Sequence, residues 1–318
     1  MNPGNMAIGK RGFGHGGQNP VGVVGVGLMG EVLARRLIAA GFGVVGIDVD
    51  PAKTARLAEF GGRPAASIAE LACAADPIVL AVFDTDQVEQ VVEKDLLPAL
   101  GAAPRQAVLC TSTCDPDRIA ALAERVGKQG LKFLETPVSG TSEQVRQGDG
   151  VGLIGGDKAV AAEVDDVLQA LFPKRFHVGR AGDGGRAKLA VNLILGLNRL
   201  ALAEGLVFAT RIGLDPHSFL AIAKDSAAYS QVMDTKGRKM IANDFRPEGR
   251  ARQTLKDVQL MLDQANKVGQ PLPLLGIHAD ILEACLRHDE GDLDNSVVIE
   301  EIRRRGEVGP GAALLPLK

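Results

Sequence analysis

The chain has 318 residues, 46% hydrophobic and 24% charged, an ordinary globular composition that excludes a disordered or fibrous chain. Its 36 basic and 39 acidic residues leave a formal charge of −3, without the basic excess of a phosphate-neutralising surface, so nucleic acid is not an expected partner. Cys73, Cys110, Cys114 and Cys285 form no Cys-x-x-Cys pair and no zinc-ligand spacing, which points to a reduced, cytoplasmic setting and no metal.

Residues 1–19 are polar and Gly-rich and lack the apolar run of a signal peptide, so they are expected to form a flexible leader. From Val21 the chain alternates short apolar runs with helical segments. Val21–Val26, Val44–Asp48, Ile78–Val82, Ala107–Cys110, Leu131–Leu134, Val151–Ile154 and Arg175–Val178 read as strands, and Met29–Ala40 and Pro116–Gln129 as helices. Such alternation predicts a doubly wound α/β fold of Rossmann type, a parallel sheet covered by helices on both faces. After Gly179 the strand rhythm stops. Arg186–Ile212, Pro216–Lys224, Gln231–Ala242, Thr254–Val268 and Leu272–Arg287 read as helices, with Asp215-Pro216 as a start signal. Two domains are expected, 20–180 for a dinucleotide and 181–318 as an all-helical substrate and dimerisation domain. The Leu-rich stretch Leu189–Ile212 is broken by Asn192, Asn198, Arg199 and Glu204, so it reads as a buried helix and not as a membrane span. Glu204 within it is expected to pair with an arginine.

Gly25-Val26-Gly27-Leu28-Met29-Gly30 is a G-x-G-x-x-G that ends a strand and opens a helix. The three glycines suit the tight turn, backbone approach to a pyrophosphate and helix–strand contact; the Leu28 and Met29 amides would face phosphate. Asp48 follows at the end of the next strand, where a carboxylate accepts from the adenosine ribose and repels a 2′-phosphate, so NAD is expected over NADP. Asp50, before Pro51, is the better helix cap.

Beyond the glycine loop, further motifs follow in order. They are Ser112-Thr113 with Pro116, Glu135-Thr136-Pro137-Val138-Ser139-Gly140-Thr141, Gly182-Asp183-Gly184 leading to Lys188 and Asn192, and Lys256-Asp257. In this set the chain, from about Val21 to about Arg304, resembles the β-hydroxyacid dehydrogenase family, to which 3-hydroxyisobutyrate dehydrogenase belongs. The resemblance implies that Thr113 and Lys256 border the nicotinamide and that Ser139, Gly140 and Thr141 hold a substrate carboxylate. Lys188 would be catalytic, with Asn192 beside it. Val82 and Phe83, at the end of a strand, join the expected cofactor-facing residues. Cys110 stands where the family has Asp, Glu135 where it has Asp, and Thr141 where it has Gly.

Lys188 and Asn192 are four apart and share one helix face; Arg199, almost three turns on, lies near the same stripe. Desolvation would lower the lysine's affinity for its proton, which suits proton transfer to or from a substrate oxygen. Tyr229 is an expected substrate contact. Arg250 and Arg252 replace an apolar approach to Lys256-Asp257 and are candidates for a second anionic group. The expected activity is interconversion of a small 3-hydroxy acid and its semialdehyde or keto acid by a homodimer or homotetramer. The alternatives are an imine reductase-like enzyme, against which Lys188 argues, and a non-catalytic nucleotide-binding protein.

Overall fold

The computed structural model describes residues 19–307, so the expected leader lies outside the described residues except for Asn19. The chain divides into two compact units. The first holds the chain up to Ser112 with Asp117–Gly140 and Gln144–Gly184; the second holds Thr113–Pro116, Thr141–Glu143 and the chain from Gly185.

In the first unit the strands are β1 (Val21–Val24), β2 (Val44–Ile47), β3 (Arg63–Pro64), β4 (Ile78–Leu80), β5 (Ala107–Cys110), β6 (Lys132–Glu135), β7 (Val138–Ser139), β8 (Val151–Gly155) and β9 (Lys174–Gly179). They form one sheet of order β3-β2-β1-β4-β5-β6-β8-β7, with β9 on β8. From β3 to β6 every pairing is parallel, as expected. The doubly wound, mostly parallel sheet is as expected, and β8 adds a local exception by running antiparallel to β6 and β7. The cause is the short link from β7 through α7 (Ser142–Gln147), which returns the chain against its neighbour.

The central strands are buried on both faces, and their Val and Leu side chains meet α1 (Leu28–Ala39) through Leu33, Ala34 and Leu37. Each fully buried leucine contributes roughly 1.5–3 kcal/mol relative to exposure. Helix α2 (Pro51–Glu59) starts where Asp50 accepts from the Ala52 amide at 3.0 Å with Pro51 in the first turn. The helices α3 (Ile68–Ala74), α4 (Thr85–Gln90) with α5 (Leu97–Leu100), α6 (Pro116–Gly127), α8 (Lys158–Glu163) and α9 (Asp165–Leu171) complete the α/β alternation.

The second unit is built from α10 (Asp183–Arg211), α11 (Pro216–Lys224), α12 (Gln231–Ala242), α13 (Ala251–Lys267), α14 (Pro273–Arg287) and α15 (Val298–Glu307) around a separate core that includes Leu202, Leu206, Met240, Leu255, Leu275 and Leu282. The last helix had no counterpart in the sequence reading. Helix α11 opens as expected, with Asp215 accepting from the Ser218 amide at 2.8 Å.

Helix α10 is not the buried helix expected. It is long and apolar enough to cross a membrane, yet one face buries Lys188, Leu189, Arg199, Leu202 and Leu206 while another leaves Val191, Ile194 and Phe208 exposed. A polar helix face can be buried only if other helices surround it, and here α13 and α14 do. Glu204 is exposed, and among the described residues no ion pair engages it, so the expected partnership with an arginine is corrected.

Candidate active site

The glycine turn follows β1. Gly25 has φ +90°, a conformation that favours glycine, and a Cβ there would stand 2.6 Å from the Ala81 carbonyl oxygen. At Gly30 a Cβ would lie 1.9 Å from the Gly25 carbonyl oxygen, so the helix passes the turn at a distance only glycine allows. At Gly27 a Cβ would meet nothing within 4 Å, and no side chain caps α1 there. Leu28 and Met29 occupy the first turn of α1. The amide end of α1 is therefore open where a phosphate would sit, and this cradle fits a dinucleotide.

Asp48 is nearly buried. Its Oδ2 accepts from the Val26 amide at 2.8 Å and its Oδ1 from the Asp50 amide at 2.9 Å, which fixes the carboxylate against the turn. Lys53 Nζ stands 3.6 Å from Oδ1 and is the cation beside that carboxylate. Val82 and Phe83 follow β4. The Val82 carbonyl accepts from Ser112 Oγ at 2.8 Å, and Phe83 is exposed with its amide donating to Gln87 Oε1 at 2.9 Å.

Ser139 ends β7, and Gly140 follows with φ +141°, where a Cβ would be 3.3 Å from Gly150 Cα. Thr141 has no positive φ, so the threonine at this position needs no glycine-like backbone. Upstream, Glu135 is buried and its Oε2 accepts from the Gly182 amide at 2.8 Å, at the residue before α10. The sequence had marked Glu135 only as a departure from the family; its contact, 47 residues away, could not be read from spacing.

The helical unit carries a connected polar group. Lys188 is 6% exposed, and its Nζ donates to Asn192 Oδ1 at 2.8 Å, one turn along α10. Asn192 Nδ2 donates in turn to Asp257 Oδ2 at 3.1 Å. Lys256 Nζ forms an ion pair with Asp257 Oδ1 at 3.1 Å, without the alignment of a hydrogen bond, and also donates to the Thr113 carbonyl. Burial pushes the Lys188 ammonium down to about 8; Asp257 pulls it back up, and the Lys256 and Arg199 charges push it further down. A lysine so placed can hold or release a proton near neutral pH. Asp257 belongs to this group and was missed as a site residue. The sequence marked it only as half of the Lys256-Asp257 motif and gave it no role, because the contact with Asn192 joins two helices 65 residues apart.

Three other expected residues are engaged elsewhere. Tyr229 is exposed and donates its hydroxyl to Asp234 Oδ2 at 2.6 Å. Arg252 Nη2 donates to Asp292 Oδ2 at 2.7 Å, and Arg250 Nε stands 3.8 Å from Asp292 Oδ1, both guanidinium groups about half exposed. These arginines form a surface cluster with one acid. Among the described residues no group of three or more His, Cys, Asp or Glu is placed to hold a metal ion.

A phosphate-ready helix end beside a fixed carboxylate, in a chain that also buries a proton-active lysine, is the equipment of a dinucleotide-dependent dehydrogenase. Residues 20–179 match the family described as the NAD binding domain of 6-phosphogluconate dehydrogenase, and residues 182–302 that described as NAD-binding of NADP-dependent 3-hydroxyisobutyrate dehydrogenase. The chain is 31% identical over 285 residues to an L-threonate dehydrogenase of Cupriavidus necator, covering 88% of this chain and 95% of that protein. The solved structure of a 3-hydroxyisobutyrate dehydrogenase from Salmonella typhimurium superposes with a TM-score of 0.80 at 27% identity, covering 89% of this chain and 99% of that one. An imine reductase from Pseudomonas sp. is more distant, with a TM-score of 0.62 at 20% identity over 90% of this chain and all of that one, and shares the fold. The chain belongs to the β-hydroxyacid dehydrogenase family of NAD(P)-binding oxidoreductases.

Proposed function

We propose that the protein oxidises a small 3-hydroxy acid with NAD, or reduces the corresponding semialdehyde or keto acid, and that Lys188 is the proton-transfer residue. The observation that carries this reading is a buried ammonium held near neutrality: Lys188 Nζ, 2.8 Å from Asn192 Oδ1 and tuned to about 8. A bound nicotinamide would supply the hydride-accepting chemistry at the substrate carbon. The remaining work falls to the chain's own residues. Neutral Lys188 Nζ takes the hydroxyl proton as the C–O bond becomes a carbonyl; in reduction the ammonium returns it. Asn192 keeps Nζ from rotating away, and Asp257 holds the Asn192 amide in turn.

Ser139, Gly140 and Thr141 are proposed to hold the substrate carboxylate, with Tyr229 as a further substrate contact and Arg250 or Arg252 meeting a second anionic group. Gly25, Gly27, Leu28, Met29 and Gly30 would cradle the pyrophosphate, Asp48 the ribose, and Val82, Phe83, Thr113 and Lys256 the rest of the cofactor. The fixed Asp48 carboxylate supports NAD, because a 2′-phosphate would meet like charge. The L-threonate and 3-hydroxyisobutyrate relatives, whose substrates are four-carbon acids, support a short hydroxy acid. In this reading residues 20–180 form the NAD domain and 181–318 the helical substrate domain of a cytoplasmic enzyme, and the exposed Val191, Ile194 and Phe208 support a homodimer or homotetramer.

The test is NADH formation with L-threonate, 3-hydroxyisobutyrate and related 2-, 3- and 4-hydroxy acids, using NAD or NADP, for the wild type and Lys188→Met. Turnover with at least one acid, lost at least 10²-fold in the variant, is expected. Full-speed turnover by Lys188→Met would remove the proposal.

A further inference from the structure

Arg199 is 5% exposed, on α10 in the core of the helical unit, and its Nε and Nη1 have no hydrogen-bond partner. His278 of α14 packs one turn away, where a Cβ on Gly196 would be 2.5 Å from its Cε1, and both ring nitrogens are likewise unpartnered. Burial and the Arg199 charge push His278 down to about 3, so the ring is neutral; an imidazole in either state supplies no negative charge. Asp294, before α15, is the carboxylate that acts on Arg199, but it is already taken. Its two oxygens accept from Lys236 Nζ at 2.9 Å each, from the Ser296 amide and hydroxyl, and from the amides of Glu248 and Gly249. Burial brings the Arg199 guanidinium down to about 10, which still leaves it cationic at neutral pH.

A buried charge without its hydrogen bonds is destabilising, and polypeptides retain such groups where another property needs them. Arg199 is eleven residues from Lys188, about 20° from the same line along the helix and about 16 Å further on between Cα atoms, before its side chain leans back toward the N-terminus. Lys188 is faced from its own helix by Asn192 and Arg199 and from α13 by Asp257 and Lys256. Arg199 is faced by His278 and Asp294. We infer that Arg199 is a positioning residue for charge: an unneutralised buried cation that keeps the Lys188 ammonium ready to lose its proton. The inference rests on Lys188 being the proton-transfer residue. Both side chains lean the same way, so at that separation of about 16 Å and an effective dielectric near 20 one unit charge moves a neighbouring ammonium by roughly 0.8 pH unit, close to one.

The experiment uses the whole enzyme labelled with 15N-lysine, with the Lys188 Nζ resonance assigned through Lys188→Arg and titrated in the wild type, Arg199→Met and Arg199→Lys. In Arg199→Met the midpoint is expected to rise by about one pH unit, with thermal stability equal to or above wild type. Arg199→Lys, which keeps a charge, is expected to stay within a few tenths of wild type. If Arg199→Met does not fold, Arg199→Gln takes its place with the same expectation. An unmoved midpoint in a folded neutral variant overturns the inference, as does a melting temperature that drops with no titration change, the outcome of a merely structural arginine. The pH profile of kcat/KM for L-threonate with NAD separates the two readings. A Lys188→Met enzyme that turns over at full speed sinks the proposed function, whereas an unmoved Lys188 resonance in Arg199→Met sinks only the role of Arg199.

Discussion

Replacing Asp257 with Asn removes one charge and keeps most of the shape. The new side chain still offers an oxygen to Asn192 Nδ2, which now lies 3.1 Å from Asp257 Oδ2, so the Lys188–Asn192 geometry survives. What changes is the field at Lys188. Among the described residues Asp257 is the group that raises the Lys188 value, against burial and two cations. The two hydrogen bonds that link the groups, 2.8 and 3.1 Å across one amide, place the carboxylate within about 8 Å of Nζ. At an effective dielectric near 20 that separation gives about 2 kcal/mol, or roughly 1.5 pH units, as an upper figure before solvent adjusts. Lys256, its partner lost, adds in the same direction.

The sign is clear. With Lys188 as the proposed base, oxidation needs the neutral lysine, so its rate is expected to rise with pH through the Lys188 value. Lowering that value from about 8 moves the rising limb of kcat/KM toward acid by one to 1.5 pH units, in about the range the Coulomb figure allows. Initial rates of NADH formation between pH 5.5 and 10, read against the wild type, measure it. A limb that stays put, or moves toward alkali, refutes the electrostatic account of Asp257 and leaves it a plain structural tether.

Two further outcomes are expected. His278 is neutral when folded, at about 3, and would bind a proton below about 6.5 once unfolded, so between these values the unfolded state holds more protons and stability rises with pH. Replacing His278 with Leu should remove a slope approaching 1.4 kcal/mol per pH unit from denaturant unfolding between pH 6 and 4; an unchanged slope contradicts the burial of that ring. Gly30→Ala forces a methyl onto the Gly25 carbonyl, so isothermal titration should show NAD binding weakened by tenfold or more with a lower melting temperature, and wild-type affinity would rule out the cradle.

Most elements were legible in the chain because burial imposes a period. The seven strands foreseen are all present, the central ones because two-faced burial demands unbroken runs such as Ala107–Cys110, while α11 falls where its Asp215 cap puts it and α12 where its apolar spacing does. The additions are β3, at Arg63–Pro64, and β7, at Val138–Ser139; two residues are too few to carry any period. The reversed direction of β8 is a property of the turns around it, which no local pattern records. Within the candidate site the Lys188–Asn192 pair is local, one helical turn, and could be read directly. Asp257 depends on where α13 lies beside α10, and the isolation of Arg199 depends on what Asp294 is already holding; both are facts of tertiary packing. Arg250 and Arg252 show the reverse limit: spacing marked two cations, and only coordinates reveal that Asp292 already engages both.

Helix α10 is a single rod of 29 residues, about 43 Å long, with Lys188 near its start on the dry side and Ile194 and Phe208 on the wet side. A rod of this kind transmits a shove. Phe208 and Lys188 therefore ride on one continuous helix, and a body that leaned on Phe208 would load the same piece that carries the ammonium.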